Sequence, residues 1–510
     1  MNRKILISVA FIFVALSLAN CQREPAVQPV AEADKTIPSY HVPREKALAE
    51  LNSFLADVDA NNTTRGGKIR QIKDVTPILG DKFQNATRVS EDEAAAAIDT
   101  LLYLVNFEDE EGYAVLSAAD FLAPIIAVMD QGSIDSSMIE NVAGTIWDFD
   151  DDDCCIDYYE DELAEEEADT TDLPIIGDPI YPPLIGGGLL SQSNEITRTT
   201  ESTSAVNHSL KFVLRTISDY CEYKLIDHNN PAGSGDNSGG NTGGGSGNNG
   251  SGDNSGNEDG DNGGNTSPQD WVIIGQIQPM LKTSWRQGSP FNTYCPTKNG
   301  VPTVAGCTVV ALGQVIAYNK HPKQVHAGYN PNWNLISQVT IDTREDSILV
   351  AAYWLAELGE NYIKADYGTE RTSASMYKAK KAMKALKYFN VDKSCGYSES
   401  AIISHLNTDR PFLISATSPK KESGDGENHG HAWVIDGYIQ RARNNQVETM
   451  MHCNMGWGGL YDGYYASGIF DTTKITDENG ETIDRIAADS TKSKYCKYYR
   501  YVTYDKPLTF

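Results

Sequence analysis

The chain has no basic patch: its 510 residues carry 42 Lys and Arg against 70 Asp and Glu, a formal net charge of −28. Phosphate recognition needs clustered positive charge, so this balance argues against nucleic acid as a partner. Its nine cysteines show no paired C-x-x-C spacing with matching histidines, so a zinc site is not expected and neither a metal nor another cofactor is implied. Beyond the first eighteen residues, no stretch is long and apolar enough to cross a bilayer. From 22 to 135 there is one histidine, His41, and no cysteine, so that region lacks a nucleophile of its own and read alone is a binding module. The acidity is also unevenly placed. From 267 to 510 there are 26 Lys and Arg against 24 Asp and Glu, so the excess negative charge lies in the first half.

What is present begins with an export signal over residues 1–21. Asn2-Arg3-Lys4 is its basic start and Ile5 to Leu18 its apolar run. Its last four residues, Leu18-Ala19-Asn20-Cys21, resemble the lipobox of bacterial lipoproteins, which implies lipidation of Cys21 and a membrane tether through acyl chains. Cleavage as an ordinary secreted protein is the alternative.

After a polar spacer, residues 22–135 read as a small α+β unit. A helix is expected from Glu45 to Val58, with Ala47, Leu48, Leu51, Phe54, Leu55 and Val58 on one face, and a second from Glu91 to Leu101 behind Ser90. Short strands follow at Tyr103 to Phe107, Gly112 to Ser117 and Pro124 to Met129. Residues 136–266 read as a linker. Their acidic run, 148–172, embeds Cys154-Cys155, and the density of like charge marks a solvated loop. A short helix is expected over 210–223, and 233–266 is almost wholly Gly, Asn, Ser and Asp, the composition of an exposed coil open to cleavage.

The third part, 267–510, is organised around Gly306-Cys307-Thr308-Val309-Val310-Ala311-Leu312. An extended segment turns at Gly306 into a helix that His321-Pro322 stops. Cys307 falls in the first turn of that helix, where unpaired N–H groups and the macrodipole favour negative charge and bias a thiol towards thiolate. Further helices are expected at Asp346 to Leu358, Thr372 to Phe389 and Ala401 to Leu406, and a buried strand at Pro411 to Ala416. An alternating strand then carries Gly430-His431-Ala432-Trp433-Val434-Ile435-Asp436-Gly437-Tyr438. Beyond it come Met451-His452-Cys453-Asn454-Met455-Gly456-Trp457-Gly458-Gly459 and Asp462-Gly463-Tyr464. A thiol with a pKa of ~8.5 is only partly ionised at neutral pH, and an imidazolium beside it stabilises the thiolate and later protonates a leaving amine. His429 is the rival to His431 for that part.

These elements, with Leu281-Lys282-Thr283-Ser284-Trp285-Arg286-Gln287 and Pro290-Phe291-Asn292 before Cys295-Pro296, resemble the streptopain family of papain-like cysteine peptidases. The resemblance implies a papain-like, two-lobed α+β catalytic domain over 267–510 and an endopeptidase activity. Cys307 is then the nucleophile, His431 the general base and Gln287 the side-chain donor to the oxyanion. Asn454 holds the histidine tautomer, Trp457 shields that contact from water, and His452 is a structural histidine. Cys295 matches a non-catalytic cysteine of the leader. Where the family has a tryptophan, this chain has Met455. Tyr103 to Gly132 is similar to the family's propeptide, which implies a zymogen in which 22–135 acts as an intramolecular inhibitor, released by a cut between about 170 and 270. The implied substrates are proteins or peptides, with an apolar side chain two positions before the scissile bond. Two further readings remain open from the residues: an inactive surface lipoprotein of the same fold acting in adhesion or inhibition, and a Cys-His amidase or acyltransferase.

Overall fold

A computed structural model describes residues 40–60, 67–79, 100–134, 270–417, 430–444, 446–470, 474–476, 482–484 and 498–506, with helical positions 213, 216, 217, 220, 221 and 224. The export segment with Cys21, the acidic run with Cys154 and Cys155, the stretch 233–266, His429 and Cys496 lie outside the described residues.

Helix α1, Arg44–Asp59, buries Ala47, Leu51, Phe54, Leu55 and Val58, which recur every three or four residues on one face. It packs on a meander of four strands: β1 Ile72–Leu79, β2 Thr100–Phe107, β3 Tyr113–Ser117 and β4 Ile125–Met129, each antiparallel to the next. Thr100 and Leu101, expected at the end of a helix, instead open β2; residues 91–99 lie outside the described residues. The sequence Thr-Leu-Leu-Tyr-Leu-Val-Asn-Phe is covered on both faces, so it lacks the apolar-polar alternation that marks a half-exposed strand. Arg70 fixes one end of this unit. Its guanidinium donates to both carboxylate oxygens of Asp59, at 3.0 and 2.9 Å, and to the Met129 carbonyl at 3.0 Å, all in a buried setting.

The C-terminal part begins with β5, Val272–Ile277, and a two-residue hairpin of β6, Thr297–Lys298, and β7, Val301–Pro302. Then come α2 Cys307–Asn319, α3 Trp333–Ile336, α4 Glu345–Glu357, α5 Met376–Ala385, β8 Phe389–Cys395 and α6 Glu399–Leu406. They are followed by β9 Phe412–Thr417, β10 Gly430–Arg443, β11 Gln446–Asn454, β12 Gly463–Ala466, the short pair β13 Lys474–Thr476 and β14 Thr482–Asp484, and β15 Tyr498–Asp505. Helix α5 is shorter than its sequence pattern suggests. Ser375 caps it, accepting from the Lys378 N–H, and Lys387 at φ 67° lies just past its end.

The two parts share one sheet. Its strands run β1-β2-β3-β4-β12-β11-β10-β9-β15-β8, all antiparallel, with β5 on the outer half of β10. The junction pairs Met129 with Gly463, Val128 with Tyr464 and Ala127 with Tyr465. Gly463 has φ 154°, and a Cβ there would lie 2.3 Å from the Val128 carbonyl oxygen, so only glycine lets the two strands approach this closely. Along β10, successive side chains go to opposite cores. Trp433 and Ile435 join the cluster shared with α1 and the first meander, whereas Val434 joins α2, α4 and α5. The helical residues Val213, Ile217, Tyr220 and Cys221 are buried in the first of these cores, and Tyr220 Oη accepts from the Ala123 N–H at 2.9 Å.

Candidate active site

Gly306 adopts φ 91° and ψ 142°, and the chain enters α2 with Cys307 as the first helical residue. A side chain at 306 would meet Thr372 at 3.0 Å, through both its side chain and its carbonyl, so the bend needs glycine twice over. Residues 368–374 also brace the flanks of Cys307. Gly368 O accepts from the Val304 N–H at 3.0 Å, Thr372 Oγ1 donates to Val304 O at 2.5 Å, and Thr308 Oγ1 donates to Ala374 O at 2.8 Å. The Ala305 N–H donates to Gln287 O at 2.8 Å, so the Gln287 segment runs beside the approach to Cys307. Gln287 itself is half-buried.

The other cysteines differ in setting. Burial pushes the thiols of Cys221 and Cys453 well up from their ordinary range, and burial together with the Glu360 charge takes Cys295 to about 12. None of these three is a thiolate near neutrality. Cys395 is exposed on β8, at the far end of the strand order. No disulfide joins the described cysteines.

Helix α2 packs on β10, and the Cys307 side chain lies against Ala432, the residue after His431, whose own ring stacks with Trp433. Both are buried, with Cys307 3% and His431 1% exposed. His431 Nε2 lies 2.8 Å from the Met455 carbonyl oxygen. A carbonyl only accepts, so Nε2 carries a proton in this bond. Trp457 stacks on the imidazole with centroids 4.0 Å apart and planes 18° apart.

Asn454 is placed otherwise than the sequence suggested. Its Nδ2 donates to Thr283 O at 2.8 Å, and its Oδ1 accepts from Gln314 Nε2 at 2.9 Å and from the Gly456 N–H at 3.2 Å. Thr283 Oγ1 in turn donates to Gln314 Oε1 at 2.7 Å. Asn454 therefore ties β11 to α2 and to the leader, and the backbone of Met455 takes over the imidazole. Main-chain support of this kind leaves no mark in side-chain identity, which is why sequence reasoning missed it.

The carboxylate partners of the structural histidine His452, beside this loop, were also not legible in the sequence. His452 Nδ1 is 2.5 Å from Asp436 Oδ1, and Nε2 is 3.0 Å from Asp130 Oδ2. Burial alone would lower the imidazole pKa, but the charges and hydrogen bonds of Asp436 and Asp130 push it up to about 10. Asp436 Oδ2 also accepts from the Leu281 N–H at 2.9 Å, while Asp462 Oδ1 accepts from the Met455 N–H at 2.7 Å. Asp436 and Asp462 both stood within the motifs already noted; what the sequence lacked was any sign of their partners.

Asp130 belongs to the N-terminal unit, which meets the C-terminal part at several points. The Asp130 N–H donates to Asp462 O at 2.9 Å, and Arg441 reaches Asp57 at 3.2 Å. Glu50 accepts from both Arg443, at 2.6 Å, and the Trp271 indole N–H, at 2.6 Å. Among the described residues no His, Cys, Asp and Glu group is arranged to hold a metal ion.

Residues 285–465 match the peptidase C10 family. Streptopain from Streptococcus pyogenes is 24% identical over 233 residues, a span covering 37% of this chain and 56% of streptopain. The chain thus spans about half the length of the curated relatives it matches. Among solved structures, prointerpain A of Prevotella intermedia aligns over 80% of this chain and 96% of its own, at 15% identity and a TM-score of 0.44. Active interpain A from the same organism aligns over 45% and 95%, at 19% identity and a TM-score of 0.33.

Proposed function

Residues 285–465 belong to the peptidase C10, or streptopain, family, and from that premise we propose that the chain is a cysteine endopeptidase made as an inactive precursor. One observation carries the reading: Cys307 heads α2 and packs against Ala432, the residue that follows His431 in the chain, and His431 Nε2 is tied to Met455 O. In this reaction the Cys307 thiolate attacks the peptide carbonyl and the His431 imidazolium returns the proton to the leaving amine, giving an acyl-enzyme that water then hydrolyses. The Cys307 N–H and the Gln287 side chain bind the oxyanion, each donor worth ~3 kcal/mol in the transition state.

The N-terminal unit serves as an intramolecular inhibitor. Its strands extend the catalytic sheet at β12, and its Asp130 bonds the same loop that carries Met455 and Trp457. The burial of both Cys307 and His431 fits a latent state better than a working groove. Release then requires a cut between about 170 and 270, before β5 joins β10. Export, with Cys21 as the lipidated residue, completes the proposal. No described helix is long and apolar enough to cross a membrane.

Mass measurement during incubation of the full-length chain tests the precursor reading. The expected result is loss of the N-terminal half in wild type and persistence of the intact chain in Cys307→Ala incubated alone. A mutant cut at the wild-type rate would exclude self-processing. A wild type that never cleaves itself or a denatured protein substrate, under reducing conditions, would favour an inactive relative.

A further inference from the structure

Resting on that peptidase reading, we propose that Asp462 is a positioning residue for the general base, acting on His431 through the backbone of Met455. Two bonds in series make the connection. Asp462 Oδ1 accepts from the Met455 N–H at 2.7 Å, and the carbonyl of the same residue accepts from His431 Nε2 at 2.8 Å. Met455 is 1% exposed, so its N–H cannot turn to water if the carboxylate is removed.

The segment between them gives this bond its leverage. Gly456, Gly458 and Gly459 all have positive φ, at 72°, 72° and 90°, so the turn from β11 to β12 has little stiffness of its own. A residue seven positions on closes it with one hydrogen bond, from the Met455 N–H to its carboxyl oxygen. Trp457, which stacks on His431, sits inside the same closed turn. Two supports of the imidazole, one polar and one aromatic, therefore lie in the loop that Asp462 closes. Its own backbone is held as well, with the N–H donating to Gly459 O at 3.3 Å and the carbonyl accepting from the Asp130 N–H. The carboxyl group is withdrawn from water: burial raises its pKa to about 8, against the bond from Met455 and the charge of His452. Asp462 supports the base without facing the reacting carbonyl.

The experiment compares wild type, Asp462→Ala and Asp462→Asn as full-length chains processed in trans by wild-type enzyme. It measures kcat and KM on a peptide substrate, and the rate of Cys307 alkylation by iodoacetamide from pH 5 to 9. The Asn variant keeps an oxygen of the same shape facing Met455, whereas the Ala variant does not. For Asp462→Ala the expected result is a kcat at least tenfold lower, a KM within twofold, and loss of the Cys307 reactivity that wild type shows at the acid end. Asp462→Asn should restore kcat to within threefold and return the acid-end reactivity.

Wild-type kinetics in Asp462→Ala would overturn the proposal. So would equal losses in both variants, since charge rather than the acceptor would then matter. A deficit in Asp462→Ala that tracks only its folded fraction, with an unchanged alkylation profile, would overturn it too. If wild type neither hydrolyses the peptide nor is alkylated preferentially at Cys307, the peptidase reading itself fails and takes this proposal with it.

Discussion

Trp457 lies flat on His431, ring centroids 4.0 Å apart, while His431 Nε2 donates to the carbonyl of Met455. The stack covers one face of the ring. Aromatic pairs of this kind contribute about 0.5–1.5 kcal/mol beyond area burial. Trp457→Ala should therefore lower kcat by about tenfold with little change in KM, and Trp457→Phe should recover most of it. Steady-state kinetics on the processed chain check this, and an unchanged kcat in Trp457→Ala would refute it.

Gly306 fixes where Cys307 sits. At φ 91° and ψ 142° a side chain strains the backbone by about 1–3 kcal/mol, and here it also presses on Thr372 at 3.0 Å. Gly306→Ala should lower the melting temperature and slow Cys307 alkylation, because relief of the clash displaces the first turn of α2. Calorimetry and alkylation rates measure the two effects. Retention of both wild-type values would show that the bend tolerates a side chain.

The Arg70 and Asp59 pair is fully buried and holds α1 to the end of β4. Removing one partner leaves an uncompensated buried charge, at a cost of about 3–5 kcal/mol. Arg70→Met should unfold the N-terminal unit at lower urea than wild type and speed processing of the precursor. Urea titration and the time course of cleavage report this, and an unmoved midpoint would count against it.

His452 makes the folded chain sensitive to alkali. Its folded pKa of about 10 lies above the ordinary imidazole value, so the folded state holds that proton more tightly than the unfolded one. The stability this provides is fully present below about pH 6.5, declines as pH rises and is gone beyond about pH 10. Asp462 acts in the same direction, because burial raises its carboxyl to about 8, and stability falls as pH rises through that value. Melting temperature should drop between pH 6.5 and 10, with a shallower drop in His452→Gln. Identical slopes in the two proteins would remove His452 from this account.

Much of the catalytic half was legible because its signals are local. Cys307 at the head of α2 follows from Gly306 and the apolar period after it, and β10 follows from alternation around His431. Strand β8 was missed because Phe389 to Cys395 is largely exposed and mixes Asp, Lys and Ser. The start of β2 was misread for the opposite reason, since apolar residues on both faces leave no period to count. Asn454 was assigned to the histidine on motif alone, yet its amide is taken by Gln314, Thr283 and Gly456. Likewise Asp462 and Asp436 were visible as letters, but Asp462 bonds a main-chain N–H and Asp436 meets a histidine on another strand, and neither geometry is written in spacing.

Active-site titration is the most direct test of the central claim. An irreversible thiol-directed peptide probe is applied to the processed wild-type chain and to Cys307→Ala, and the labelled residue is mapped by mass spectrometry. Stoichiometric label on Cys307 in wild type and none in the mutant is the predicted result. Label persisting in Cys307→Ala, or mapping to the exposed Cys395, would contradict the assignment of Cys307 as the nucleophile.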